Sequence, residues 1–253
     1  MGFLAISTFV LLLFIFALNL DIVDGAQSAV SLFGFQAPEL VQIDEVILGV
    51  ESAVAVMLFT GGIFMSLFAT SNLIPTLLQP GFIDLFISKP VSRLAIISGR
   101  FLGAVSIVAF NIFYLVIGTW LIMSLKTGIW NFGFLLSGVM IIITFTILYA
   151  MMMFLGMITK SGPFSLMITY MIIFFSPLLL QRDNIYALLT SAFYGYIIDG
   201  IYYFLPKIAE LGALTQQLTR GVPVMNWMPL WSSLFFAVFM YLISAYIFLR
   251  KNF

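Results

Sequence analysis

FLGAVSIVAFNIFYLVIGTWLIMSL, residues 101–125, contains no Asp, Glu, Lys, Arg or His. As a helix rising about 1.5 Å per residue it would be about 37 Å long, more than the roughly 30 Å hydrocarbon core of a bilayer. It therefore predicts a helix that crosses a membrane. The rest of the chain agrees with this reading. Of 253 residues, 63% are hydrophobic and only 8% are charged, and the mean hydropathy is +1.18. That composition excludes a water-soluble globular domain. At about 20 residues per crossing, six spans use about 120 residues, which leaves room for one sizeable loop on each side. The whole chain, 1–253, reads as one all-α integral membrane domain.

Toward the C-terminus, a short link from Lys126 to Phe132 leads to a second long apolar run, 134–158. The Lys160-Ser161-Gly162-Pro163 segment then marks a turn, with Ser161 as N-cap and Pro163 in the first turn of the next span, 164–180. A final span, 230–249, is closed by Arg250-Lys251. Toward the N-terminus, residues 75–100 form a polar, Pro-punctuated loop. Before it lies a span at 50–73, interrupted by Gly61-Gly62, where missing side chains permit a kink or the close approach of another helix. Residues 21–48 hold Asp21, Asp24, Glu39, Asp44 and Glu45 with no Lys or Arg, and read as an outside loop. The first run, 2–20, reads as a span, because nothing basic precedes it as in a signal peptide.

Residues 185–205 are apolar enough to cross but carry Asp199 and five of the ten Tyr. If they crossed, Arg250-Lys251 would lie outside, against the positive-inside bias. They therefore read as an outer interfacial or re-entrant helix before the last span. The resulting six-span topology places Lys89, Arg93, Arg100, Lys160, Arg250 and Lys251 inside against Asp84 alone, a net +5. Outside lie Lys126, Arg182, Lys207 and Arg220 against nine acids, a net −5. Trp120, Trp130, Trp227 and Trp231 fall near the outer interface, as aromatic belts do. Both termini are expected in the cytoplasm of a cell with the chain in its cytoplasmic membrane.

The same composition narrows the chemistry. Ten basic and ten acidic residues cancel, which argues against a nucleic-acid partner. With no Cys and no His there is no thiolate or imidazole metal site and no nucleophile of either kind. Glu51, at the outer start of its span, and Asp199 read as solvated or interfacial acids, leaving the span interiors without an ionisable group for ion coupling. No G-x-x-x-x-G-K-[ST] run occurs, so the chain has no nucleotide-phosphate cradle of that kind. Met151, Met152, Met153, Met157, Met167 and Met171 read as adaptable packing. Asn111, near the middle of the third span, reads as an interhelical hydrogen-bonding group or a pathway residue, and Gly61, Gly62 and Asp199 join it as candidate pathway or packing positions. No metal site and no catalytic residue is expected.

The inside loop is the informative part. In GFIDLFISKPVSR, residues 81–93, Phe82, Leu85 and Phe86 recur at i, i+3, i+4, with Asp84 and Ser88 off that face. The spacing predicts a short amphipathic helix stopped by Lys89-Pro90, with a new helix starting at Val91 and flowing into the third span. Such a helix either rests on the inner lipid interface or offers a rigid cytoplasmic feature to a motor.

The longer stretch LFATSNLIPTLLQPGFIDLFISKPVSRLAIISGRFLG, residues 67–103, resembles ABC-2 type transporter permeases, the membrane subunits of one class of ATP-binding-cassette exporter. The matching positions are Ser71, Gly81, Asp84, Lys89, Pro90, Ser92, Arg93, Gly99 and Gly103, around a K-P-x-S-R signature. YLISAYIFLRKNF at the C-terminus and YYFLP at 202–206 are similar to further segments of that family. Thr76-Leu77-Leu78-Gln79 departs from it, since charged residues are common there. The sequence also opens directly in an apolar run where the family usually has a basic amphipathic helix, pointing to a late start or a loss.

The resemblance implies coupling to a cytoplasmic ATPase subunit, present in two copies, through Phe82, Asp84, Leu85, Phe86, Lys89, Pro90 and Arg93. It also implies a second permease copy or homologue, with ATP and Mg held by the ATPase. Two other readings stay open: an ion-coupled secondary transporter, and a non-transporting membrane anchor of a cell-surface assembly.

Overall fold

The computed structural model describes Thr8, Phe9, Leu12 and residues 18–23, 27–32, 35–36, 43–78, 91–181 and 192–250. The described residues are mainly helical. Five helices are long and apolar enough to cross a membrane: Ile47–Leu77, Arg93–Leu125, Phe132–Thr159, Gly162–Leu180 and Met228–Arg250. Their outward faces are greasy, with Phe174 69% and Phe235 73% exposed. Rows of such side chains are costly in water and at home in lipid. The chain is an integral membrane protein.

Each of the five corresponds to a span read from the sequence, extended by one to eight residues at one or both ends. The expected first span lies outside the described residues apart from Thr8, Phe9 and Leu12, which are helical, and Leu18–Leu20, which belong to a strand. The segment read as an outside loop contains a small antiparallel ribbon: β1 Leu18–Val23, β2 Gln27–Leu32 and β3 Phe35–Gln36. Leu18 pairs with Leu32, Val23 with Gln27, and Leu32 with Phe35. The alternation of Leu18, Leu20 and Ile22 with Asn19 and Asp21 is a period of two, a strand signal that a long apolar run can hide.

Beyond the ribbon, α1 covers Ile43–Met57 and runs into a π-helical turn at Leu58–Gly62, followed by α2 Ile63–Thr70 and α3 Leu73–Leu77. The irregularity expected at Gly61-Gly62 is this π turn; a side chain at Gly61 would meet nothing within 4 Å, so close helix approach is not its use. Pro75 has no N–H for the Ser71 carbonyl, and the helix breaks at Ser71-Asn72 before α3. Then come α4 Arg93–Thr127, α5 Phe132–Thr159, α6 Gly162–Leu180, α7 Ala192–Phe204, α8 Ile208–Thr219 and α9 Met228–Arg250. The cap of α6 is as read: Ser161 has extended backbone, its Oγ accepts from Phe164 N at 3.4 Å, and Pro163 sits in the first turn.

The chain forms two compact units. One comprises the described residues of Met1–Thr60, Ile107–Ile141 and Leu214–Val224; the other comprises those of Gly61–Ser106, Ile142–Ala213 and Met225–Phe253. In the second unit, one end is built on a core of Ile74, Leu77, Ile96, Ile97, Met153, Met157 and Phe248. Buried hydroxyls there satisfy themselves along their own helices, as lipid requires: Thr169 Oγ1 donates to Ser165 O at 2.8 Å and Ser244 Oγ to Met240 O at 2.7 Å. At the other end of the same unit, Ala209 N donates to Ser176 Oγ at 2.9 Å and Lys207 N to Ser233 Oγ at 3.0 Å. Ser176 lies near the end of α6 and Ser233 near the start of α9. The end of α6 and the start of α9 thus lie at one end of this unit, both bonded to the start of α8 and the residue before it.

Candidate functional site

In the first unit, polar chemistry gathers at one end around Glu51. The buried stripe of α1 and the π turn reads Ile47, Val50, Glu51, Val54, Ala55 and Leu58, the i, i+3, i+4, i+7 pattern of a core-facing helix. Glu51 belongs to that stripe and is wholly buried. Its reading as a solvated or interfacial acid is therefore corrected: helix phase, rather than distance from the helix start, decided its surroundings. Its Oε2 accepts from Asn131 Nδ2 at 2.6 Å, and its Oε1 has no hydrogen-bond partner among the described residues.

Asn131 organises this end. The same Nδ2 donates to Thr219 O at 2.8 Å, while Oδ1 accepts from Gly133 N at 3.0 Å and so caps α5. Its carbonyl accepts from Trp120 Nε1 at 3.0 Å, and Trp120 packs edge-on against Trp130 at 5.0 Å. Thr219 O is free for this role because of how α8 ends. Gly221 has φ +68°, Gly221 N donates to Leu218 O at 3.1 Å and Val222 N to Gln217 O at 2.9 Å. That closure uses two of the last carbonyls and leaves the one between Leu218 and the cap to Asn131. Gly133 is demanded by the same packing, since a Cβ there would overlap Leu218 O. Arg220, the next residue, reaches Ser52 Oγ with Nε at 3.5 Å.

The sequence-derived candidates fall in different places. Phe82, Asp84, Leu85, Phe86, Lys89 and Pro90 lie outside the described residues. Arg93 opens α4, as the restart at Val91 implied, and its Nη1 donates to Leu249 O at 3.5 Å. Asn111 is buried, but its Nδ2 donates to Ile107 O of its own helix at 2.8 Å and its Oδ1 has no partner. Among the described residues it makes no interhelical bond; its amide turns instead to the carbonyl one turn back. Asp199 is half-buried on α7. Met151, Met152, Met153 and Met157 are buried, whereas Met167 and Met171 face outward. Gly99 and Gly103 have open space at Cβ.

A second polar cluster, in the other unit, surrounds Lys207. This lysine, counted among the outside charges, is buried; its Nζ donates to Ser232 Oγ at 3.0 Å and lies 4.8 Å from the Tyr202 ring centre and 5.9 Å from that of Tyr203. Aromatic faces attract an ammonium group, and the Tyr202 hydroxyl donates to Glu210 Oε1.

Comparison with protein-family models, with curated proteins and with solved structures finds no match.

Proposed function

We propose that this chain is the membrane-spanning permease subunit of an ABC exporter, moving substrate by alternating access driven by ATP hydrolysis on partner ATPase subunits. Supporting this is how the two flanks of segment 79–90 are held. Ile74 and Leu77 precede it and Ile96 and Ile97 follow it, and all four pack into one core with Met153, Met157 and Phe248. Arg100 Nη1 adds a 2.9 Å bond to Leu73 O, across the segment. A force applied to the segment would therefore be shared by four spans. In the proposal that segment carries the coupling helix, with Phe82, Leu85 and Phe86 as its apolar face and Asp84, Lys89, Pro90 and Arg93 around it.

The proposed orientation is supported by the charges at the same end. That end gathers Arg93, Arg100, Lys160 and Arg250 at the helix ends of its unit, which the positive-inside bias assigns to the cytoplasm. The proposed assembly has two permeases, alike or homologous, and two ATPase subunits that hold ATP and Mg, with six spans and both termini inside. If Phe86 is an anchor in an ATPase groove, Phe86→Ala should weaken ATPase association by about 2 kcal/mol or more, with the spans still folded. Unchanged ATPase retention and transport with Leu85 and Phe86 both replaced by Ala would overturn the coupling role. One observation favours the ion-coupled alternative: Glu51 supplies a buried acid within a span. Gradient-driven transport by this chain alone would select it.

A further inference from the structure

The Glu51 carboxyl is wholly buried, yet its oxygens are treated unequally: Oε2 holds the Asn131 amide at 2.6 Å, and Oε1 has no partner among the described residues. The polar groups around it come from three elements. Its own helix supplies Ser52, and carries Asp44 and Glu45 nearer its start. The link before α5 supplies Asn131, and the end of α8 supplies the Thr219 carbonyl and Arg220, whose Nε is spent on Ser52 Oγ. Among the described residues no Lys or Arg forms an ion pair with Glu51. An ionised carboxyl only accepts hydrogen bonds, whereas a protonated one also donates. One donor and no counter-charge make this site unlike a structural ion pair.

Among the described residues, three more buried polar atoms without partners lie on α4 in the same unit: Asn111 Oδ1, Thr119 Oγ1 and Ser124 Oγ. Buried groups of this kind, Glu51 Oε1 included, are ordinarily satisfied by water.

We propose that Glu51 is a proton-binding site within the span. Water delivers a proton that forms an O–H bond at Oε1, and that bond breaks to return the proton to water; Asn131 holds Oε2 throughout. Because the same Asn131 nitrogen holds Thr219 O, the end of α8 is the element positioned to respond. This goes beyond the permease assignment and does not depend on an ATPase partner.

The chain has four glutamates, Glu39, Glu45, Glu51 and Glu210. Replacing Glu39, Glu45 and Glu210 with Gln leaves Glu51 as the only one. That protein, grown with carboxyl-13C glutamate and placed in lipid nanodiscs, is followed by infrared spectroscopy against pH. The expected result is an isotope-shifted acid C=O band that is lost as pH rises, is replaced by a carboxylate band, and returns on acidification. If the triple variant does not fold, the labelled native chain minus Glu51→Gln gives the same bands as a difference. A Glu51 signal that is carboxylate at every pH, or an acid band that never converts, would overturn the proposal.

Discussion

Gly133 has no room for a side chain, because the Leu218 carbonyl occupies the space a Cβ would take. Gly133→Ala should destabilise the fold by about 1–3 kcal/mol, as overpacking does. Gly103→Ala, with nothing within 4 Å of the new methyl, should be neutral or stabilising by up to about 1 kcal/mol. Thermal unfolding in one detergent compares the pair. Asn131→Leu strips donors from both Glu51 Oε2 and Thr219 O, at about 1–3 kcal/mol for each stranded group. Adding Glu51→Leu should then cost less than the two single effects summed, and a double-mutant cycle in the same assay reads that coupling. Glu51 was half legible in the sequence: its identity and position were plain, and its spacing from Ile47, Val54 and Leu58 puts it on the apolar face. What the sequence did not supply is Asn131, 80 residues away in sequence and reached only by tertiary packing.

At the scale of elements, composition and turn chemistry carried most of the information. Ser161 was readable as a cap because a hydroxyl before Gly-Pro has few other uses at a helix start. Ser161→Ala should cost about 0.5 kcal/mol or somewhat more, read as a lowered unfolding temperature. The π turn at Leu58–Gly62 was legible only as an irregularity, since paired glycines permit several backbone deviations and packing selects one. The strands of Leu18–Gln36 were not read, because their period-two pattern begins inside a longer apolar run. α8 was also missed; its polar Glu210, Gln216 and Gln217 resemble loop composition. For α7, hydrogen bonds to Ser176 and Ser233 return the chain to the end from which it left. Reporter fusions after Arg182 and after Arg220 should therefore register the same side of the membrane. Opposite sides would mean that α7 crosses.

Across the whole molecule, hydropathy alone identified a membrane protein, and five of the six expected spans are long, apolar helices. Orientation rests on charge. Because the native chain has no Cys, single-Cys labelling is clean: Cys in place of Ser92 should react only from the cytoplasm, and Cys in place of Gln36 only from outside. Function lies further from the sequence, because the permease proposed here would do no covalent chemistry of its own and its motor would be another chain. The central claim is that this chain is driven by such a motor. The most direct measurement is to purify the full chain in mild detergent, identify what accompanies it, and assay ATP hydrolysis in the complex. The account predicts a cytoplasmic ATPase subunit in amounts matching the permease, with hydrolysis in the complex and its retention reduced by Phe86→Ala. A chain that purifies without any ATPase, and transports in liposomes on an ion gradient alone, would contradict it.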